Sequence, residues 1–447
     1  MKLVRTFVLC FAFLMVCSLQ GWSQSSPAEA LENVTIHTAD GNTIEGGTIV
    51  WRNGVITAMG SDVSVPFDAY VRNGGDSLHV YPGFIDGLAL WGSPDIEKDS
   101  GTPDEPGNPG YARAGIQPDR EPAGNLNYDT KVLREAPKHG FTTAALALKG
   151  RMLSSQVDLF SINGKQTKGH VLKSGLGILA QFEEAGGTAY PSTTMGIMAQ
   201  LRQLFNDAKA LKQQQHYYAS TSGNYSAPQE NHVLQSLYPV MQQEQPLYFV
   251  VDSKENIERL FELQDELGFE VVLVSGKEAY KKADELNDRN IPVLASIDLP
   301  EKPEWKKAQE KKEEKESESV EEVTDEMRIF RERQLAAYKA DVQNIKKLLN
   351  AGVQVGYASN GFKLTDIQKN IATLKEEGGL KDEDILQMLT QHTADILGYG
   401  QKLGDVTEGR MANFTVFTKL FTDEKTKVLY SVTDGTLTEF ESESSND

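Results

Sequence analysis

The stretch "HVYPGFIDGLALWG", His79 to Gly92, decides how the rest of the chain is read. From His79 to Asp86 it is a nearly continuous apolar run, the pattern of a strand buried on both faces rather than one. Two residues past Asp86 stand Leu88 and then Leu90. Side chains alternate along a strand, so residues two apart share a face, and these two leucines point the same way.

Working outward, the neighbouring segments change character on each side. Upstream, from Val34, "VTIHTADGNTIEGGTIVWRNGVITAMG" consists of short alternating strands. The dipeptides Asp40-Gly41 and Asn53-Gly54 supply hairpin turns between them. Downstream, strands and helices alternate as in a parallel α/β fold. "TTAALALKG" is a strand, and "STTMGIMAQLRQLFNDAKAL" a helix opened by Ser192 or Thr193. "PLYFVVD" is a strand ending at Asp252, and "KENIERLFELQDELG" a helix closed by Gly268. "FEVVLVSG", "IPVLASIDL" and "VQVGYASNG" are further strands, the last ending at Asn360, and "DEDILQMLTQHTADILG" is a helix closed by Gly398. The C-terminal end returns to β structure, with Asp434-Gly435 as a turn. The expected architecture is a (β/α)8 TIM-like barrel over residues 79–400. A small β-sandwich is built beside it from both termini, 34–78 and 401–440. Residues 24–33 read as a linker and 441–447 as a disordered tail. The mixed-charge stretch 301–326 reads as a solvated loop or exposed helix inserted in the barrel.

The N-terminus has the pattern of an export signal. Lys2 and Arg5 precede an apolar run, Thr6 to Leu19, that is short for a bilayer span, and Gly21 and Ser23 are small residues before a cut at Gln24. Both cysteines, Cys10 and Cys17, lie inside this segment. The processed chain therefore has no thiol for a disulfide, a nucleophile or a zinc site. Its formal charge moves from −19 to −21 once Lys2 and Arg5 are gone, with 43 basic against 64 acidic residues. So acidic a chain excludes a nucleic-acid backbone or an anionic membrane surface as its main partner. The expectation is a soluble exported protein, periplasmic or secreted, with no membrane attachment after cleavage.

Pro82-Gly83-Phe84-Ile85-Asp86 resembles the first barrel strand of the amidohydrolase superfamily, where the same run is followed, after one residue, by His-x-His. A second similarity closes the chain. In "LTQHTADILGYGQKLGDVTEGRMANFTVF", Gly404, Glu408, Gly409, Ala412 and Asn413 resemble the family's segment of helix, glycine-bounded turn and returning strand. Within the superfamily the chain is most similar to the imidazolonepropionase-like and secreted branch. The resemblance implies hydrolysis of cyclic-amide or other C–N bonds by one or two divalent metals, usually zinc, at the barrel mouth. There the metal lowers the pKa of a bound water and polarises the carbonyl.

Transferred to this sequence, the ligand positions do not carry ligands. The His-x-His pair falls on Leu88 and Leu90. The fifth-strand histidine falls near Asp252, the sixth-strand histidine near Ser275 and Gly276, and the last-strand aspartate on Asn360, a neutral amide. Lys149, ending "TTAALALK", is the candidate for a mid-barrel lysine. The histidines are His37, His79, His139, His170, His216, His232 and His392, and none forms His-x-His. His170 and His232 stand in loop-like contexts that could line a mouth. The candidate catalytic residues are therefore Asp252 and Asn360, and the candidate ligand-binding residues Leu88, Leu90, Ser275 and His170, with no metal ligand and no cofactor. Asp252 has a second reading as the cap of the following helix. Three functions stay open on these residues. One is a pseudo-hydrolase that binds an unknown small molecule. Another is an active C–N hydrolase with an unconventional site. The third is a scaffold or partner subunit for an active paralogous amidohydrolase.

Overall fold

The computed structural model describes residues 26–75, 77–96, 101–221, 226–313 and 324–440. The expected export signal, the tail 441–447 and the centre of the charged stretch lie outside the described residues. The chain begins with β1 (Glu29–His37), β2 (Thr43–Arg52), β3 (Val55–Gly60), β4 (Tyr70–Asn73) and β5 (His79–Pro82). Eight strands follow: β6 (Phe84–Ala89), β7 (Phe141–Ala147), β8 (Leu153–Ser161), β9 (Val171–Gln181), β10 (Leu247–Val251), β11 (Val271–Ser275), β12 (Val293–Ala295) and β13 (Val355–Tyr357). The chain closes with β14 (Phe414–Phe417), β15 (Val428–Thr433) and β16 (Thr436–Glu439).

The two termini do build one unit, joined where β14 runs antiparallel to β5. Their hydrogen bonds link the strands in the order β16-β15-β14-β5-β1-β2-β3, with β4 added to β1, and this is the small β domain expected from the two termini. β1 starts at Glu29, inside the stretch read as linker, because its Leu31 is wholly buried against the sheet core. At the β2–β3 and β15–β16 turns, Asn53 and Gly54 (φ 52° and 78°) and Asp434 and Gly435 (φ 50° and 75°) take the left-handed pairs that two-residue hairpins need. Trp51 packs edge-on against Phe414, with centroids 5.2 Å apart, across the joint of N- and C-terminal strands.

The second sheet runs β13-β12-β11-β10-β9-β8-β7-β6 and is nearly closed into a barrel. One strand departs from the (β/α)8 expectation. β8 is antiparallel to both β7 and β9. Reversal needs only short links, and these are residues 148–152 and 162–170. The remaining neighbours are parallel and are connected through helices. The main ones are α1 (Thr194–Thr221), α2 (Lys254–Leu267), α3 (Ala283–Asp288), α4 (Glu304–Glu313), α5 (Asp325–Val342), α6 (Asn344–Asn350), α7 (Ile367–Glu376), α8 (Asp382–Leu389) and α9 (Gln391–Ile396). α2 shows why they form. Ile257, Leu260 and Phe261 recur at helical spacing and are buried, each worth roughly 1.5–3 kcal/mol of transfer from water. Gly268 ends the helix at φ 74°. The described ends of the charged stretch fall within α4 and at the start of α5, whose N-terminal half is exposed. Among the described residues no helix is long and apolar enough to cross a membrane.

Alternation sorts the barrel residues into two sets. Phe84, Ala144, Leu146, Phe249, Leu273 and Val293 pack outward against the helices. Ile85, Ala145, Ala147, Val157, Leu159, Leu179, Tyr248, Val274 and Leu294 fill the interior. The period of two predicts this division, and the interior is a packed apolar column.

The Pro-Gly-Phe-Ile-Asp run is the hinge between the two sheets. Pro82 ends β5, paired with β14; Phe84 opens β6 by donating its N–H to Gly140 O at 2.9 Å. Gly83 makes the step between them, its N–H on Asn413 O at 3.0 Å. A Cβ there would sit 2.1 Å from Thr142 Oγ1 and 2.7 Å from Thr142 Cβ, so only glycine fits. Asp86 then ties the barrel shut. Its Oδ1 accepts the N–H of Leu88 at 3.1 Å within β6 and that of Ser359 at 3.0 Å beyond β13. The Asn360 N–H adds a bond to Leu88 O at 3.0 Å. Asp86 is fully buried, and burial raises its pKa to about 7, although the hydrogen bonds from Ser359 and Leu88 oppose the rise.

Two predictions follow from the hinge and the seam. Gly83→Ala should lower the unfolding free energy by about 1–3 kcal/mol, the cost of overpacking against a β-branched neighbour. Urea denaturation measures it, and an unchanged midpoint would mean that Thr142 yields freely. Asp86 keeps its proton in the folded chain up to about pH 7 and loses it in the unfolded chain near 3.8. Between those values the folded state binds more protons, so this group's contribution to stability is intact below the lower value and is lost as pH rises through the upper one. The Asp86→Asn variant should therefore lack a fall in stability across that window that the native chain shows. Parallel pH profiles for the two proteins would contradict the assignment.

Candidate functional site

The C-terminal ends of the parallel strands open at one face of the barrel, and the inward alternation continues past the regular strands onto that rim. On β6, Leu88 is wholly buried in the interior column and Leu90 packs half-buried at its upper edge. A register shift in the β6–β7 pairing between Asp86 and Ala89 accompanies the turn of Leu88 to the inside. On β10, Tyr248 and Val250 face in, and Asp252 is the next residue in phase. On β12, Leu294 is followed in phase by Ser296, and beyond β13 Ala358 is followed by Asn360.

Hydrogen bonds hold these strand ends side by side. The Gly276 N–H donates to Val251 O at 2.9 Å, Ser296 N–H to Ser275 O at 3.1 Å, and Ala358 N–H to Ala295 O at 3.1 Å. A cavity of about 460 Å³ is lined by Asp252, Ser275, Ser296, Asp298, Ser359 and Asn360, among others. It brings together three of the residues singled out from the sequence, Asp252, Ser275 and Asn360, with Leu88 and Leu90 on the adjoining strand. A second cavity of about 570 Å³ lies on the other side of Asp252, against Arg151, Gln181, Glu183 and Glu184.

Two of the rim residues carry unusual backbone. Ser275 has φ 75° and Asn360 φ 40°, left-handed values that a side chain adopts at a cost. Ser275 is 3% exposed. Asp252 is exposed, and its carboxylate makes only a long contact, 3.4 Å, with the Lys277 N–H. It does not cap α2, as the second reading of the sequence had it. Ser253 does, its side chain accepting the Asn256 N–H at 3.3 Å. Around Asp252 the cations are engaged elsewhere: Lys277 with Asp298 at 2.7 Å, and Arg151 with Glu183 at 3.8 Å and Glu184 O at 2.8 Å.

Two sequence expectations need correction. His170 is not at the mouth. It immediately precedes β9, whose N-terminal end lies at the opposite face of the barrel, and its ring bonds to Asn163 and Thr167 in the β8–β9 link. The reversal of β8 put that link at the far end. Lys149 ends the second barrel strand, not a middle one, and pairs with Asp95 at 2.6 Å. The inward residue at the end of the fourth strand, β9, is Gln181, which donates to Gly150 O at 2.6 Å. Gln181, Ser296 and Asp298 were not singled out from the sequence. The first two stand in phase after "GILA" and "VLA", and that phase was the available signal. Among the described residues no group of three or more His, Cys, Asp or Glu side chains could hold a metal ion.

The comparisons agree with this geometry at the level of the fold. No curated protein matches the chain in sequence. Among solved structures, an amidohydrolase from Thermotoga maritima is similar with a TM-score of 0.72 at 19% identity, over 92% of this chain and 99% of that one. A prolidase complexed with N-methylphosphonate-L-proline is similar at 0.53 and 15% identity, over 93% of this chain and 100% of that one. Likeness at such identities is a likeness of fold. The sequence profile of the amidohydrolase family matches residues 119–438, most of the chain, from the connection between the barrel's first and second strands into the last strand of the terminal sheet. With its hinge motif, barrel and composite terminal sheet, the chain belongs to the amidohydrolase family.

Proposed function

We propose that this amidohydrolase-family chain is a metal-independent binding protein whose barrel mouth takes a small polar molecule. The observation that carries the reading is the donor set of the rim. The positions that hold the family's metal ligands are occupied by Leu88 and Leu90, by Asp252, by Ser275 and by Asn360. Two leucines offer no lone pair to replace the water a dication loses, and Asp252, the one carboxylate among those positions, does not balance its charge. The residues present therefore do not fit the divalent metal that the fold family implies, and no water-activating step is assigned to one. What the rim does offer is hydroxyl, amide and carboxylate groups around a cavity over an apolar floor, a composition suited to small-molecule recognition. Export from the cytoplasm belongs to the same reading and is supported by the charge and apolar pattern of residues 1–23.

A second reading, C–N hydrolysis with Asp252 as general base, is favoured by one observation. Among the described residues that carboxylate is neither ion-paired nor used as a helix cap. One experiment separates the two. The processed chain is purified, its zinc, iron and manganese are measured, and cyclic amides and prolyl dipeptides are offered with and without added metal. The expected result is substoichiometric metal and no turnover. Stoichiometric metal with chelator-sensitive turnover would overturn the proposal. Chelator-insensitive turnover abolished by Asp252→Asn would establish the second reading in its place.

A further inference from the structure

Resting on the binding role proposed above, we infer that the mouth selects an organic ammonium, with the cationic group on Asp252 and an uncharged hydrogen-bonding end toward Ser275 and Asn360. The argument begins with charge. Asp252, Asp298 and Asp366 line the first cavity against Lys277 and Lys363, and Asp252, Glu183 and Glu184 line the second against Arg151. Lys277 is held by Asp298 and Arg151 by Glu183, while Lys149 on the neighbouring strand end is held by Asp95. Asp366 and Lys363 offset each other in formal charge within one turn of chain. The charge left over on both sides of the shared wall is negative, and Asp252 belongs to both cavities. Among the described residues it has no ion-pair partner. An anionic ligand would meet this carboxylate with no spare guanidinium to receive it, whereas an ammonium would complete it.

The second observation is independent of charge. Ser275 is 3% exposed and lines the first cavity, yet its hydroxyl has no hydrogen-bond partner among the described residues. The left-handed φ of 75° at the same residue is costly for a side chain. That cost makes sense if it turns the hydroxyl toward a ligand atom. Asn360, also left-handed at φ 40°, lines the same cavity, and its amide can donate and accept together. A neutral carboxamide or hydroxyl head matches these two residues, and a protonated amine matches Asp252. They stand on strand ends β10, β11 and β13 and line one cavity of about 460 Å³, so one small molecule can meet all three.

Three probes of one shape test the inference: 4-aminobutanamide (cationic), pentanamide (neutral) and succinamate (anionic). Binding to the processed chain is measured by isothermal titration calorimetry at low salt. The expected order is 4-aminobutanamide first, about tenfold tighter than pentanamide, a ratio that corresponds to one charge-assisted contact. Asp252→Asn, at an exposed position, should erase that ratio, and added salt should shrink it. Ser275→Ala should weaken the cationic and the neutral amide alike. Tighter binding of succinamate would overturn the cationic preference while leaving a binding mouth in place. A ratio unchanged in Asp252→Asn would overturn the role of that residue, and no heat from any probe would overturn the inference as a whole. Failure of the binding role itself is read separately, from metal content and turnover.

Discussion

The structure depends on one carboxylate placed where it receives two amides from opposite ends of the barrel sequence. Asp86 accepts from Leu88 on the first strand and from Ser359 beyond the last. A parallel sheet has no intrinsic reason to stop curling or to close, and its edges stay unsatisfied until something pairs them. Here the first and last strands meet through a side chain as well as through the Asn360–Leu88 bond. The position of Asp86 is fixed in turn by Gly83, where the chain leaves the terminal sheet against Thr142. Hinge and seam lie within a few residues of each other, so the placement of the terminal sheet and the closure of the barrel are set by the same short run.

Once the seam is fixed, alternation dictates the rest of the mouth. Each strand carries its inward phase up to the rim, and that phase selects Gln181, Asp252, Ser296 and Asn360. Leu88 and Leu90 come inward on the same principle, helped by the register shift at the end of β6. Below them the barrel is packed with aliphatic side chains and Tyr248. The resulting polarity is layered, with hydroxyl, amide and carboxylate groups over a dry floor. A carboxylate above such a floor is weakly screened on one side and open to water on the other, which makes the sign of its partner matter more than its size.

Much of this was legible in the residues, and the parts that were not have physical reasons. The run Pro82 to Asp86, the turn dipeptides at Asn53 and Asp434 and the helix stop at Gly268 all encode local backbone, which sequence specifies directly. The inward phase of Asp252 and Asn360 was legible because a period of two survives any tertiary context. The direction of β8 was not. "LSSQVDLFS" places Ser154, Ser155 and Asp158 in buried positions, and Asp158 takes its partners from distant segments, accepting from Ala123 and Gly175. Local pattern cannot report such partners, and the segment did not register as a strand. The error at His170 is inherited from it, since a reversed strand exchanges the faces on which its links lie. The choice between mouth and cap at Asp252 was undecidable from composition, because Ser253 beside it is an equally good cap.

The reversed strand also bears on how the barrel comes together in time. Every parallel pair from β9 to β13 must wait for a crossover, the longest running from Gln181 to Leu247. The β7–β8–β9 meander closes across residues 148–152 and 162–170 alone. Short-range pairs form at a smaller cost in chain entropy than long-range ones. The meander is therefore the local template in an otherwise non-local sheet, a preformed edge on which β10 can dock and from which the remaining strands can be added in sequence. The strand that breaks the symmetry of the barrel supplies its most economical starting point for folding.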